Sequence, residues 1–210
     1  MMSTASPADQ LTADDDGIES PRLVMRPLLQ LDEDQFFQLV VQNRDLRLEQ
    51  DVYGAVIIVP LHSPYYGLRN ADISYQIGKW DRDERQGLTF GSGTPFRFKN
   101  GAARRPDASW VEKARWECLT KAVKNTIARL TPNFVIELRS ETDRLVDLQA
   151  KLEEYIDNGV ELGWIIDPLL SQVHIYEAGK PVQLLDHPTT VAGTGCVQGF
   201  VLDLKDIFTE

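Results

Sequence analysis

Two carboxylates stand where a folded chain rarely leaves them. Glu137 interrupts the apolar run of Phe134, Val135, Ile136 and Leu138, and Asp107 follows Pro106 at the head of a run that contains Trp110 and Val111. A carboxylate in a buried strand costs several kcal/mol unless it is paired or bound to a metal. The two lie thirty residues apart, which suits neighbouring strands of one sheet joined by a helical connection, with both carboxylates at the same sheet edge. Oxygen donors of this kind suit hard cations such as Mg²⁺ or Mn²⁺, in sites completed by water and phosphate. A cation so held polarises a phosphodiester and activates a water. A basic group beside it, Lys151 or Arg139, can stabilise the developing charge.

The elements that must position these groups are legible in the pattern. On a strand, Glu137 and Arg139 at i and i+2 face the same way, so a plain ion pair is the alternative to a catalytic role. Downstream, Leu145, Leu148, Leu152, Tyr155 and Ile156 form one apolar face of a helix. Lys151 falls roughly 90° from the centre of that face and Gln149 roughly 70° on the other side, so only one of them can turn to a given site. Lys151 has an alternative partner in Asp147, four residues earlier, and Asp143 supplies favourable charge near the helix N-terminus.

Further upstream, Asp32, Glu33 and Asp34 before FFQLVVQ predict a helix over about 32–43. LRLEQDVYGAVIIVP predicts two strand arms broken at Tyr53-Gly54, with Glu49 in the first. PLHSPYYGLRN, with two prolines and a glycine, reads as a loop, followed by a helix capped by Asn70 and carrying Ile73, Ile77 and Trp80. GLTFGSGT and PFRFKNG read as a hairpin, with Asn100-Gly101 marking a tight turn. Asp107, Ser109 and Val111 share one strand face, Ala108 and Trp110 the other. Residues 112–130 read as a partly helical connection; SQVHIYEAGKPVQLL reads as strand, turn and strand, and GFVLDLKDIF as a last short strand. Interleaved strands and helices predict an α/β or α+β domain, a central mixed sheet flanked by helices.

The 210 residues, 42% of them hydrophobic, suffice for one sizeable core. The expected division is a solvated acidic tail over 1–25, with Asp14, Asp15, Asp16 and Glu19, and one domain over 26–210. A net charge of -10 argues against coating nucleic acid by bulk electrostatics. Any such contact must be local, and Arg104-Arg105 beside Asp107 is the place for it. Cys118 and Cys196 match no metal-ligand spacing, which points to a reducing, cytoplasmic setting. No apolar run is long enough to span a bilayer. His62, His174 and His187 share no metal spacing and read as structural or exposed, and the four tryptophans read as core anchors.

RRPDASWV, NFVIELRSETD and DLQAKLEEYIDNGVELGWIIDP, in that order, resemble the Uma2 family (DUF820) of the PD-(D/E)XK superfamily, over roughly residues 30–205. The resemblance implies the restriction-endonuclease-like fold and a metal-dependent endonuclease acting on nucleic acid, DNA above RNA. Asp107 then matches the aspartate of the Pro-Asp motif and Glu137 the acidic residue of the second half-motif, both as metal ligands. Arg139 stands where the superfamily carries lysine, and arginine, always protonated, cannot serve as a base. Lys151 matches a lysine thought to have migrated to the following helix. Glu49 matches an acidic position that completes the metal shell, and Gln149, with Arg104 and Arg105, is a candidate for substrate contact. A homodimer is expected, because a nuclease acting on two strands uses two sites. The rival is an interaction or regulatory protein that keeps the fold without catalysis. A two-carboxylate glycosidase ranks third.

Overall fold

The computed structural model describes residues 21–24 and 29–209. In chain order the elements are β1 (Arg22–Leu23), α1 (Glu33–Gln42), β2 (Arg47–Gln50), β3 (Val56–Val59), α2 (Pro64–Glu84), β4 (Gly87–Gly91), β5 (Phe96–Arg97), β6 (Ala103–Arg104) and β7 (Ala108–Glu112). There follow α3 (Lys113–Glu117), α4 (Lys121–Lys124), β8 (Ala128–Arg129), β9 (Phe134–Leu138), α5 (Leu145–Asp157), β10 (Leu162–Asp167), β11 (Gln172–Glu177), β12 (Gln183–Asp186), β13 (Thr190–Ala192), β14 (Val201–Asp203) and α6 (Lys205–Phe208). The acidic part of the expected tail, up to residue 20, lies outside the described residues. Arg22 and Leu23, assigned to that tail by composition, instead pair antiparallel with Ile57 and Val56.

Two mixed sheets carry the fold, ordered β1-β3-β2-β6-β5-β8 and β12-β11-β10-β9-β7-β4. In the second, β9 lies between β7, antiparallel, and β10, parallel. It is covered on both faces, which is why its sequence is continuously apolar around the single glutamate. Phe134, Ile136 and Leu138 pack with Ile73 and Ile77 of α2 on one side. Val135 packs with Leu148, Leu152 and Tyr155 of α5 on the other. Period-two alternation puts Glu137 on the α5 side. Gly163 lets α5 come close to the sheet, because a Cβ there would stand 2.5 Å from Leu152 Cδ1 and 3.2 Å from Val135 Cγ2.

Two expectations are corrected. The 60–70 segment is a loop only up to Ser63, which caps α2, its Oγ accepting the Tyr66 N–H at 3.2 Å, and Pro64 occupies the first turn. A proline there loses no hydrogen bond and arrives with helical φ, so the helix starts six residues before Asn70. The runs around Phe90 and Phe96 do not pair with each other. β4 joins β7 in one sheet, while β5 turns at Asn100-Gly101 onto β6 in the other. Local alternation shows that a segment is extended, not which partner it finds. The expected α1, the β2–β3 arms, the β11–β12 pair and the strand at β14 all form.

Candidate active site

A cavity of about 190 Å³ opens where the two sheets and α5 meet, and Glu49, Asp107, Glu137 and Lys151 all line it. Four separate elements deliver them, and each side chain is fixed by a local cause. The β7–β9 ladder stops at Ala108 opposite Ile136. The next N–H, that of Leu138, is taken by the Asp107 carboxylate, Oδ2 at 2.9 Å. Its other oxygen accepts a short hydrogen bond from the Tyr66 hydroxyl of α2. Glu137 Oε1 accepts from the Tyr155 hydroxyl of α5 at 2.8 Å. Each of the two central carboxylates is thus oriented by a buried tyrosine.

Lys151 reaches in from α5. Its Nζ lies 3.0 Å from Glu49 Oε1 and 3.1 Å from Glu137 Oε1. Asp147, the partner that helix spacing offered, sits 3.7 Å from Arg144 instead. Of the two helix borders it is the one bearing Asp147, Lys151 and Glu154 that lines the cavity, and Gln149 is not among the lining residues. Glu49 is fully engaged: Oε1 accepts from Lys151 and from the Arg105 N–H at 3.0 Å, and Oε2 from Arg104 at 3.2 Å. Arg104 also grips Glu154 through Nε at 3.0 Å and Nη2 at 2.5 Å.

Of the two arginines singled out for phosphate attraction, Arg104 is committed to carboxylates. Arg105 lines the cavity with its Nε unpartnered. Arg139 lies elsewhere. It continues from β9, and its Nη1 pairs with the fully buried Asp167 of β10 at 3.0 Å while Nε donates to the Asp143 carbonyl at 3.2 Å. It does not line the cavity.

Arg22, Arg47, Arg105 and Arg144 also line the cavity, but the direct ion pairs at its buried carboxylates are unevenly shared. Glu49, Glu154, Glu137 and Asp107 bring four carboxylates, against the two cations Lys151 and Arg104 that touch them. Burial raises the Glu49 pKa, but Lys151, Arg104 and the Arg105 N–H outweigh it and hold that carboxyl below its ordinary value. Burial pushes Glu137 up to about 8, because the pull of Lys151 is offset by the Asp107 and Glu49 charges. Burial likewise raises Asp107 despite its hydrogen bonds from Tyr66 and Leu138. Burial opposes the Lys151 charge, yet the surrounding carboxylates, Glu137 first, raise its pKa overall. Two carboxylates therefore lack full compensation, and an oxygen-only donor set with that deficit fits a hard divalent cation. Among the described residues, no group of three or more His, Cys, Asp or Glu side chains is gathered to hold a metal. The Lys151 ammonium stands between Glu49 and Glu137 and also donates to Glu137 Oε2 at 3.2 Å.

A family model, Uma2, described as "Putative restriction endonuclease", matches residues 33–205. The chain belongs to the Uma2 family. Among solved structures, this Uma2 chain is similar to one described as a "putative nuclease belonging to DUF820 from Anabaena variabilis ATCC 29413". The TM-score is 0.70, over 85% of this chain and 97% of that one, at 19% sequence identity. The likeness is one of fold, the restriction-endonuclease-like arrangement of a mixed sheet flanked by helices. Comparison with curated proteins finds no match.

Sequence reasoning missed Tyr66, Glu154 and His62, and gave Tyr155 only a packing role. Tyr66 was recoverable, since Tyr66, Ile73 and Ile77 continue one helical face once Ser63-Pro64 is read as a helix start. Glu154 continues the Asp147–Lys151 stripe by one turn. His62 carried no signal, because only the fold brings it to the cavity.

Proposed function

We propose that this chain is a metal-dependent endonuclease that hydrolyses phosphodiester bonds of nucleic acid, with DNA as the expected substrate. The observation that supports it is the pair Asp107 and Glu137, buried on adjacent strands, tyrosine-oriented and undercompensated in charge, facing one cavity. When bound there, Mg²⁺ or Mn²⁺ supplies Lewis-acid polarisation of the phosphoryl oxygen and a lower pKa for the attacking water. Asp107 and Glu137 would hold the ion, with Tyr66 and Tyr155 fixing the direction of their carboxylates. Glu49, engaged by three donors, positions Lys151 rather than completing the metal shell. Lys151, held charged, stabilises the negative charge that develops on the phosphoryl oxygens. Arg105 and Arg47 at the cavity attract the backbone phosphate locally, which accommodates an acidic protein to an acidic polymer. The reading includes a cytoplasmic homodimer, the commonest closed assembly, which would present one site to each of two strands. Among the described residues, no helix is long and apolar enough to cross a membrane.

The test measures Mg²⁺ and Mn²⁺ binding and DNA cleavage for the wild type, Asp107→Ala and Glu137→Ala. Loss of both in each variant is the expected result, and equal activity in all three sinks the assignment. A second reading has one observation in its favour. The Lys151 ammonium already lies between two carboxylates, as in a fold that has retired its metal for an internal ion pair. Failure of the wild type to bind either ion would support that interaction protein.

A further inference from the structure

The proposed hydrolysis needs a proton acceptor for the attacking water, and neither basic candidate in the sequence supplies one. Arg139 is paired with Asp167 away from the cavity. Lys151 is an ammonium clamped by Glu49 and Glu137. The remaining carboxylates around the cavity are occupied as well: Asp143 by the Ser140 N–H and hydroxyl, Asp147 by Arg144, and Glu154 by Arg104.

One lining side chain is left. Among the described residues, His62 is the one imidazole at this cavity. Its ring stacks on Tyr66 with centroids 3.8 Å apart and planes 22° apart, and the same tyrosine donates its hydroxyl to Asp107. His62 is thereby held in a fixed relation to one of the two metal carboxylates. Its Nδ1 is buried without a hydrogen-bond partner, and among the described residues no hydrogen bond occupies the other nitrogen.

We infer that His62 is the general base of this site, taking a proton from the water that attacks phosphorus. The inference rests on the hydrolytic reading above. In the step, the water oxygen bonds to phosphorus and one water proton passes to His62 Nε2, the ring nitrogen that is not sealed off, while the buried Nδ1 carries the ring's own proton. The bond from phosphorus to the leaving ester oxygen breaks, its electron pair staying on that oxygen, which takes a proton from solvent. The imidazolium returns its proton to solvent, so the net change is water plus diester to monoester plus alcohol. The surroundings keep the ring neutral and able to accept. Burial lowers its pKa, and Arg47 and Lys151 add to that, against the opposing pull of Asp107 and Asp143.

The experiment compares wild type, His62→Gln and His62→Ala on duplex DNA with Mn²⁺, alongside Mn²⁺ affinity by calorimetry. General-base assistance is worth about 10²–10⁴-fold in rate. Both variants should therefore lose kcat by a factor in that range with KM and Mn²⁺ affinity near wild type, and added imidazole should restore His62→Ala. Wild-type kcat in both variants overturns the assignment. So does a lost kcat with intact Mn²⁺ affinity that imidazole fails to restore, which marks a purely structural role. Absence of hydrolysis by the wild type overturns the nuclease reading and this base together, whereas the two preceding outcomes remove the base alone.

Discussion

Replacing Glu137 by glutamine removes an ionisable group while keeping an amide oxygen to accept from Tyr155 and Lys151. Glu137 ionises near its ordinary value of 4.5 in the unfolded chain and is pushed up to about 8 in the fold. Between those values the folded chain holds a proton that the unfolded chain has released. Its contribution to stability is therefore fully present below about 4.5, declines as pH rises, and is lost through about 8. Each pH unit across that window corresponds to about 1.4 kcal/mol, so the whole window amounts to roughly 5 kcal/mol. Asp107, also raised, titrates together with it, and the slope belongs to the pair. Urea denaturation of wild type and Glu137→Gln in chelator, at intervals from pH 5 to pH 8, isolates the effect. The difference between the two curves cancels the groups that do not interact with Glu137 and leaves the Glu137–Asp107 pair. Wild type should lose stability relative to the variant as pH rises, and saturating Mn²⁺ should abolish the relative loss by replacing the proton. Parallel pH dependences in chelator would refute the claim that Glu137 is undercompensated, and with it the electrostatic case for a cation.

Breaking the buried Arg139–Asp167 pair with Asp167→Ala removes the buried carboxylate that faces the guanidinium and should cost about 3–5 kcal/mol in denaturation. Initial rates measured well below the melting temperature should stay near wild type, since neither residue lines the cavity. Arg105→Ala should weaken DNA binding about equally across sequences and reduce the salt slope by about one, as read by fluorescence anisotropy against salt concentration.

Most local elements were legible in the sequence, the start of α2 excepted. The sequence also marked Asp107 and Glu137, the two carboxylates that the fold buries at the cavity. The apolar run around Glu137, the amphipathic period of α5 and the Pro-Asp start of β7 are short-range patterns, set by the alternation of strands and the pitch of helices. A carboxylate in a buried run is visible in one dimension because its cost does not depend on which strand comes next. Tertiary structure decided the partners. Helix spacing allowed Lys151 to pair with Asp147, yet Glu49, 102 positions away in the chain, and Glu137 surround it. Strand period put Arg139 on the same side as Glu137, and its N–H still bonds the Ile166 carbonyl; the β9–β10 register then sets Asp167 beside it, and the guanidinium pairs there and not with Glu137. Composition placed Arg22 and Leu23 in a tail, but a backbone ladder accepts any residue with a free N–H and C=O, and the edge of β3 took them. His62 shows the limit most clearly. Nothing around it in the chain suggests chemistry, and its place at the cavity depends on the helix that Ser63 and Pro64 begin and on the Tyr66 ring that helix carries.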